Sequence, residues 1–170
     1  MIKHIYKNSD ILFVGINPHF GSFDRGVPFS NNKMFWYLLD EAGLINEGRE
    51  RLKNDKILKE IYHKKFSQVY KLGLINMIDR ASRDISDLKK GEEVLGQKRL
   101  SRIITLYSPK IVCFVGKVSY EKFTGLKKFD YGWKESIKKS KIFVMHTPLR
   151  GEARIRVEEL QKIKKSIKYN

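Results

Sequence analysis

Two stretches of this chain, ILFVG at residues 11–15 and IVCFVG at 111–116, are apolar without interruption, and each stops on a glycine. A strand with one face in water alternates apolar and polar residues. Runs without alternation belong to strands covered on both faces, as in a parallel sheet held between helices. KIFVMH at 141–146 is a third such run, and LGLINMID at 72–79 is a fourth whose pattern does not separate strand from helix. Helical patterns lie between them. KMFWYLLDEAG (33–43) spaces Phe35, Leu38, Leu39 and Ala42 along one face, with Gly43 placed to close the helix. EEVLGQKRLSRIITLYSP (92–109) repeats the pattern and stops before Pro109. The last stretch, IRVEELQKIKKSIKYN, sets Ile155, Leu160, Ile163 and Ile167 roughly on one side of a helix whose other side is basic. The expected fold is α/β: a three-layer α/β/α sandwich with a mostly parallel central sheet, formed as one domain over residues 1–170.

Charge narrows the partners. The chain has 35 Lys+Arg against 19 Asp+Glu, a formal net charge of +16. Nucleic acid is the natural partner of such an excess because phosphate neutralisation releases condensed counterions, although ribosome-associated and hot-environment proteins are also basic. The single cysteine, Cys113, sits inside an apolar run and is expected in the core, which excludes an internal disulfide and a four-cysteine metal cluster. His4, His19, His63 and His146 show no ligand spacing, so neither a metal nor any other cofactor is expected. No apolar stretch approaches the roughly 20 residues of a membrane span. MIKHIYKNSD lacks the apolar core of a signal peptide, so the expected location is cytoplasmic, nucleoid-associated in a prokaryote. A monomer is expected.

In parallel sheets, ligands gather where the chain leaves the carboxyl ends of the strands. The first apolar run leads there into INPHFGSFDRGVPF (16–29), read as a loop that offers the Asn17 amide, backbone donors and the Phe29 ring. It lacks the Gly-x-Gly-x-x-Gly spacing of a dinucleotide site and the Gly-Lys-Ser/Thr of a phosphate loop. Asn-Pro is also an ordinary turn pair, so spacing alone leaves Asn17 open between a turn residue and a catalytic amide.

Three ordered blocks carry a resemblance. ILFVGINP…GVPFSNNKMFWYLLDEAGL, LGLINMIDRAS and YSPKIVCFVGKVSYEKF resemble segments of the mismatch-specific uracil/thymine-DNA glycosylases, a family within the uracil-DNA glycosylase superfamily. The resemblance implies a monofunctional DNA glycosylase of base excision repair acting on double-stranded DNA. Such an enzyme flips uracil, with thymine as a second base, out of G·U or G·T mismatches and hydrolyses the N-glycosidic bond to leave an abasic site. It also implies residue roles. Asn17 would hold the attacking water, Phe29 would stack on the flipped base, and backbone N–H groups near Ile16 and Phe29 would face the pyrimidine oxygens. Asn76 would bond the pyrimidine edge, with a satisfied strand-end amide as the alternative. VMHTPLRGEAR (144–154) matches by position the loop that fills the gap left by the base, with Leu149 and Arg150 as wedge residues or members of an ordinary exposed turn. Lys117 and Arg154 would contact DNA, the bland alternative for Lys117 being a solvated side chain.

The chain also departs from the family. His19 stands where the family has glycine, and either lines the pocket or points outward. HTPLRG lacks the family's Asn-Pro-Ser or Ser-Ser-Ser, and His146 sits one position from the hydrolytic histidine of other branches of the superfamily. These departures leave two alternatives open: a glycosylase for hypoxanthine or another damaged base, and a catalytically inactive relative that binds mismatched DNA.

Overall fold

The computed structural model describes residues 1–149 and 151–168. Arg150, expected as a wedge residue, lies outside the described residues. The four apolar runs form strands β1 (Ile11–Gly15), β2 (Leu72–Asn76), β3 (Ile111–Val115) and β5 (Ser140–Met145), with β4 (Gly132–Ile137) between the last two in sequence. The sheet order is β2-β1-β3-β5-β4. β1, β2, β3 and β5 run parallel, while β4 pairs antiparallel with β5 at the edge. Sequence reading missed β4, because GWKESI is polar and exposed at alternate positions, as suits an edge strand.

Alternate residues of each central strand face opposite layers. Ile11 and Phe13 of β1, Cys113 of β3 and Phe143 of β5 join the core beneath α2 (Met34–Glu41) and α7 (Ala153–Lys168). Leu12 and Val14, Phe114, and Ile142 and Val144 join a second core beneath α5 (Val94–Tyr107) and α6 (Lys117–Thr124). The architecture is therefore the three-layer α/β/α sandwich with a mostly parallel sheet. Two short helices, α3 (Arg49–Leu52) and α4 (Asp55–Glu60), continue into a wider turn at Ile61–Lys65 and extend the first core through Leu58, Tyr62 and Phe66.

Two glycines matter to these helices. Gly43, just past α2, takes φ +77, a left-handed conformation that lets Leu44 N–H reach Leu39 O at 2.9 Å. Gly96 of α5 lies against the main chain of Met77, where an added Cβ would stand 2.7 Å from the Met77 carbonyl carbon and closer still to its oxygen. The C-terminal helix differs from expectation at one residue. Ile155 is exposed, because five positions to Leu160 overshoot a helical turn. Arg156, four positions before Leu160, is buried there instead, and its guanidinium donates to Thr147 O (2.5 Å) and Glu152 O (2.8 Å).

Candidate active site

β1 and β2 end side by side, with Gly15 opposite Asn76. The two chains stay bonded beyond the strands: Met77 N–H donates to Gly15 O (2.9 Å), Ile78 N–H to Ile16 O (2.8 Å), and Ser82 N–H to Pro18 O (3.1 Å). Asn17 lies inside this seam. Its Nδ2 donates to Arg80 O at 3.0 Å and Ser82 Oγ at 2.8 Å. Both amide hydrogens are therefore engaged, and Oδ1 accepts no bond from the described residues. What Asn17 offers a ligand is an acceptor.

The segment expected as a loop after Asn17 holds a helix, α1 (Phe20–Arg25). His19 caps it, with Nδ1 accepting Gly21 N–H at 3.1 Å, which leaves Nε2 as the ring's other nitrogen. Histidine is not a common cap residue, and the six-residue helix is too short to show a period. Ser22 Oγ then accepts from Ser30 N–H (3.1 Å) and Asn31 N–H (2.9 Å), curling the chain back and holding Phe29 at φ +55. That left-handed conformation costs a non-glycine residue roughly 1–2 kcal/mol. Trp36 Nε1 donates to Pro28 O at 2.9 Å and helps fix it. The Phe29 ring rests on Phe35, 4.6 Å between centroids.

Gly15 makes room for this arrangement. A Cβ there would lie 2.6 Å from Asn76 Oδ1 and 3.0 Å from Phe29 Cζ, so the amide and the ring approach the same small floor. Asn76 is 3% exposed, and its side-chain amide bonds none of the described residues. Its main chain, by contrast, is held on both sides. The N–H donates to His4 Nε2 at 3.3 Å, and the carbonyl accepts from Arg99 Nη2 at 2.6 Å. Arg99 also forks onto Asp79 at 3.0 and 3.1 Å.

His4 Nε2 lies 3.5 Å from Asp79 Oδ1, but a nitrogen that accepts from Asn76 has no proton to give that carboxylate. Burial, with the Arg99 guanidinium second, pushes the His4 imidazole down to about 4 against the weaker opposing pull of Asp79. Below its ordinary value of 6.5 the unfolded chain takes up a proton that the folded one refuses until about pH 4. Stability from this group is therefore complete above 6.5 and is lost as pH falls toward 4, by at most roughly 3 kcal/mol. The melting temperature is expected to fall across that window in the wild type. In His4→Gln, which cannot charge, the fall should be visibly smaller; equal pH profiles by thermal melts would refute the assignment.

These residues enclose one cavity of about 230 Å³, lined by Asn17, His19, Phe29, Asn76, Ser119 and Leu149 among others. Ile16 also lines it. Leu149 stands on its rim and is 64% exposed. His146 is turned to other partners: its main-chain N–H and Nδ1 both reach Glu159 Oε1 at 3.1 Å, and its ring stacks on Tyr131 at 3.5 Å. Lys117, the first residue of α6, sets its Nζ 4.6 Å above the other aromatic of that stack, Tyr131. It is a cation–π partner there rather than a purely solvated lysine. Arg154 is an exposed residue of α7, 3.6 Å from Glu158, and does not line the cavity.

Sequence reading missed Ser82, which anchors Asn17, and the His4–Arg99 brace on Asn76. The serine in DRAS lies 65 positions from Asn17, and only the fold joins them. Among the described residues, no three His, Cys, Asp or Glu side chains are grouped to hold a metal ion, and no helix is long and apolar enough to cross a membrane. The family model of the uracil DNA glycosylase superfamily matches residues 2–161. A match over nearly the whole chain, on a parallel sheet whose carboxyl ends carry the cavity, makes this protein a member of the uracil DNA glycosylase superfamily, the DNA-acting glycosylases of base excision repair.

Proposed function

We propose that the protein is a monofunctional glycosylase that turns uracil, with thymine as a second base, out of G·U and G·T pairs in duplex DNA and hydrolyses the N-glycosidic bond. The observation that carries this reading is the pairing of two amides in one cavity: Asn17 with only an acceptor to offer, and Asn76 with its whole amide unbonded. A pyrimidine edge carries a carbonyl acceptor beside an N–H donor, which an unbonded amide matches group for group. Phe29 supplies a face for the base, a contact worth about 1–3 kcal/mol in other base-stacking sites.

Asn17 Oδ1 accepts one hydrogen of the attacking water and directs its oxygen at the sugar carbon. An amide is too weak a base to strip that proton early, so most of the acceleration comes from stabilising the departing pyrimidine anion. Backbone N–H groups of Ile16 and Phe29 face its oxygens in this scheme. Leu149, already exposed on the rim, enters the stack as the base leaves, while Lys117, Arg150 and Arg154 meet phosphates. No lysine serves as a Schiff-base nucleophile, and the enzyme acts as a monomer, in the cytoplasm. One observation favours a second reading, excision of hypoxanthine: the imidazole of His19, which the family lacks, lines the cavity and adds a ring nitrogen suited to a purine.

Alkali-revealed strand cleavage of duplexes carrying G·U, G·T, A·U and hypoxanthine pairs tests the proposal. Product from the G·U and G·T duplexes is expected. Product from hypoxanthine alone would move the assignment to the second reading, and tight mismatch binding without product would make the protein an inactive DNA-binding relative.

A further inference from the structure

β4 is an edge strand, and α7 packs against its neighbour β5. Between β4 and the C-terminal half of α7 lies an open groove of about 630 Å³, lined by Trp133, Lys134, Lys141, Lys162, Lys165 and Ser166 among its residues. Among the described residues, none of these four lysines reaches a carboxylate within ion-pair distance. Lys141 donates to Ser166 Oγ at 3.1 Å. The Trp133 ring meets Phe143 edge to face at 5.0 Å and remains 43% exposed.

Lysines on an edge strand discourage pairing with other chains, which accounts for Lys134, whose place opposite Ile142 puts it on the other face of the sheet from Trp133. It does not account for Lys162 and Lys165, which stand on a helix, or for an indole left in water beside them. Three unneutralised cations, Lys141, Lys162 and Lys165, around one accessible aromatic ring form the combination by which proteins hold unpaired nucleic acid: phosphates on the charges, a base on the ring. A duplex fits this feature less well, since its bases are already stacked on one another. An acidic peptide would satisfy the lysines and leave the indole without a stacking partner.

The groove is separate from the cavity. Lys141 is the second residue of β5, whereas Thr147 and Leu149 follow its far end, and the six residue steps from Lys141 to Thr147 at about 3.3 Å each span roughly 20 Å. We propose that the groove is a second nucleic-acid site that takes a single strand, with an unpaired base on Trp133 and its flanking phosphates against Lys141, Lys162 and Lys165. It holds strand exposed near a lesion while the cavity works on the flipped base.

The chain's own fluorescence tests this. Trp36 is fully buried and Trp133 is exposed, so collisional or stacking quenching on ligand addition reads the groove. The full chain is titrated with a short single-stranded oligodeoxyadenylate, which offers the cavity no pyrimidine. Saturable quenching is expected, absent in Trp133→Phe. In Lys162→Gln/Lys165→Gln the affinity should drop about tenfold and the slope of log affinity against log salt should flatten by roughly 1.4, about 0.7 per lost phosphate contact. Both lysines are exposed, and that variant should keep its single-turnover rate on the G·U duplex. Asn17→Ala should still quench, which separates failure of the groove from failure of the cavity reading. Equal or stronger quenching by duplex of the same length or by polyglutamate, or quenching indifferent to the lysine pair, would overturn the proposal.

Discussion

Asn17→Ala is expected to lower the single-turnover excision rate on a G·U duplex by roughly a hundred- to a thousandfold, about 3–4 kcal/mol of barrier, with duplex affinity nearly unchanged. The substitution removes the acceptor proposed to position water, and it also cuts the bonds to Arg80 O and Ser82 Oγ. Ser82→Ala separates these effects. It keeps Oδ1 and one of the two amide bonds, so a smaller loss of about tenfold is expected. Single-turnover rates beside gel-shift affinities are the measurement. Equal losses in the two variants would mean that Asn17 serves to hold the loop, and a fully active Asn17→Ala would remove it from the chemistry.

The largest expected effect on stability comes from Gly96→Ala. In an open helix this change helps by nearly 1 kcal/mol, because alanine is the better helix former. Here the new methyl meets the Met77 main chain, which cannot rotate aside as a side chain would. Overpacking of this kind costs about 3 kcal/mol, or a fall of roughly 6–12 °C in the melting temperature. Activity should fall with it, since α5 also carries Arg99, whose guanidinium holds the Asn76 carbonyl. Urea unfolding and excision by one preparation would show both; a variant as stable as the wild type would mean that α5 can shift freely over β2.

The parts of this fold that could be read directly were those in which one physical demand dominates. Strands covered on both faces must be apolar throughout, and β1, β3 and β5 announced themselves for that reason. β4 answers to water on one side and neighbours on the other, and its residues carry both signatures. α1 is capped by a histidine and lasts under two turns, too brief for a period. At Ile155 an apolar residue suggested a buried position that belongs one residue later to Arg156, whose burial depends on carbonyls at Thr147 and Glu152. Within the cavity, Asn17 and Phe29 were legible in the stretch that follows the first apolar run, and Asn76 through the family resemblance. Their supports were not, because a serine at 82, an arginine at 99 and a histidine at 4 become neighbours only after the sheet has formed.

The bonded seam beyond β1 and β2 has one more implication. Loops that rim a cavity commonly stay loose until a ligand orders them, and that ordering subtracts from affinity. Here the chain from Gly15 to Pro18 is laced to the chain from Met77 to Ser82 by the same kind of main-chain bonds that make the sheet. The entropy of fixing Asn17 is thus lost during folding, before any DNA arrives. In the proposed function distortion would then be left to the nucleic acid, and discrimination between one base pair and another would become a comparison of how easily each duplex yields to a mould set by folding.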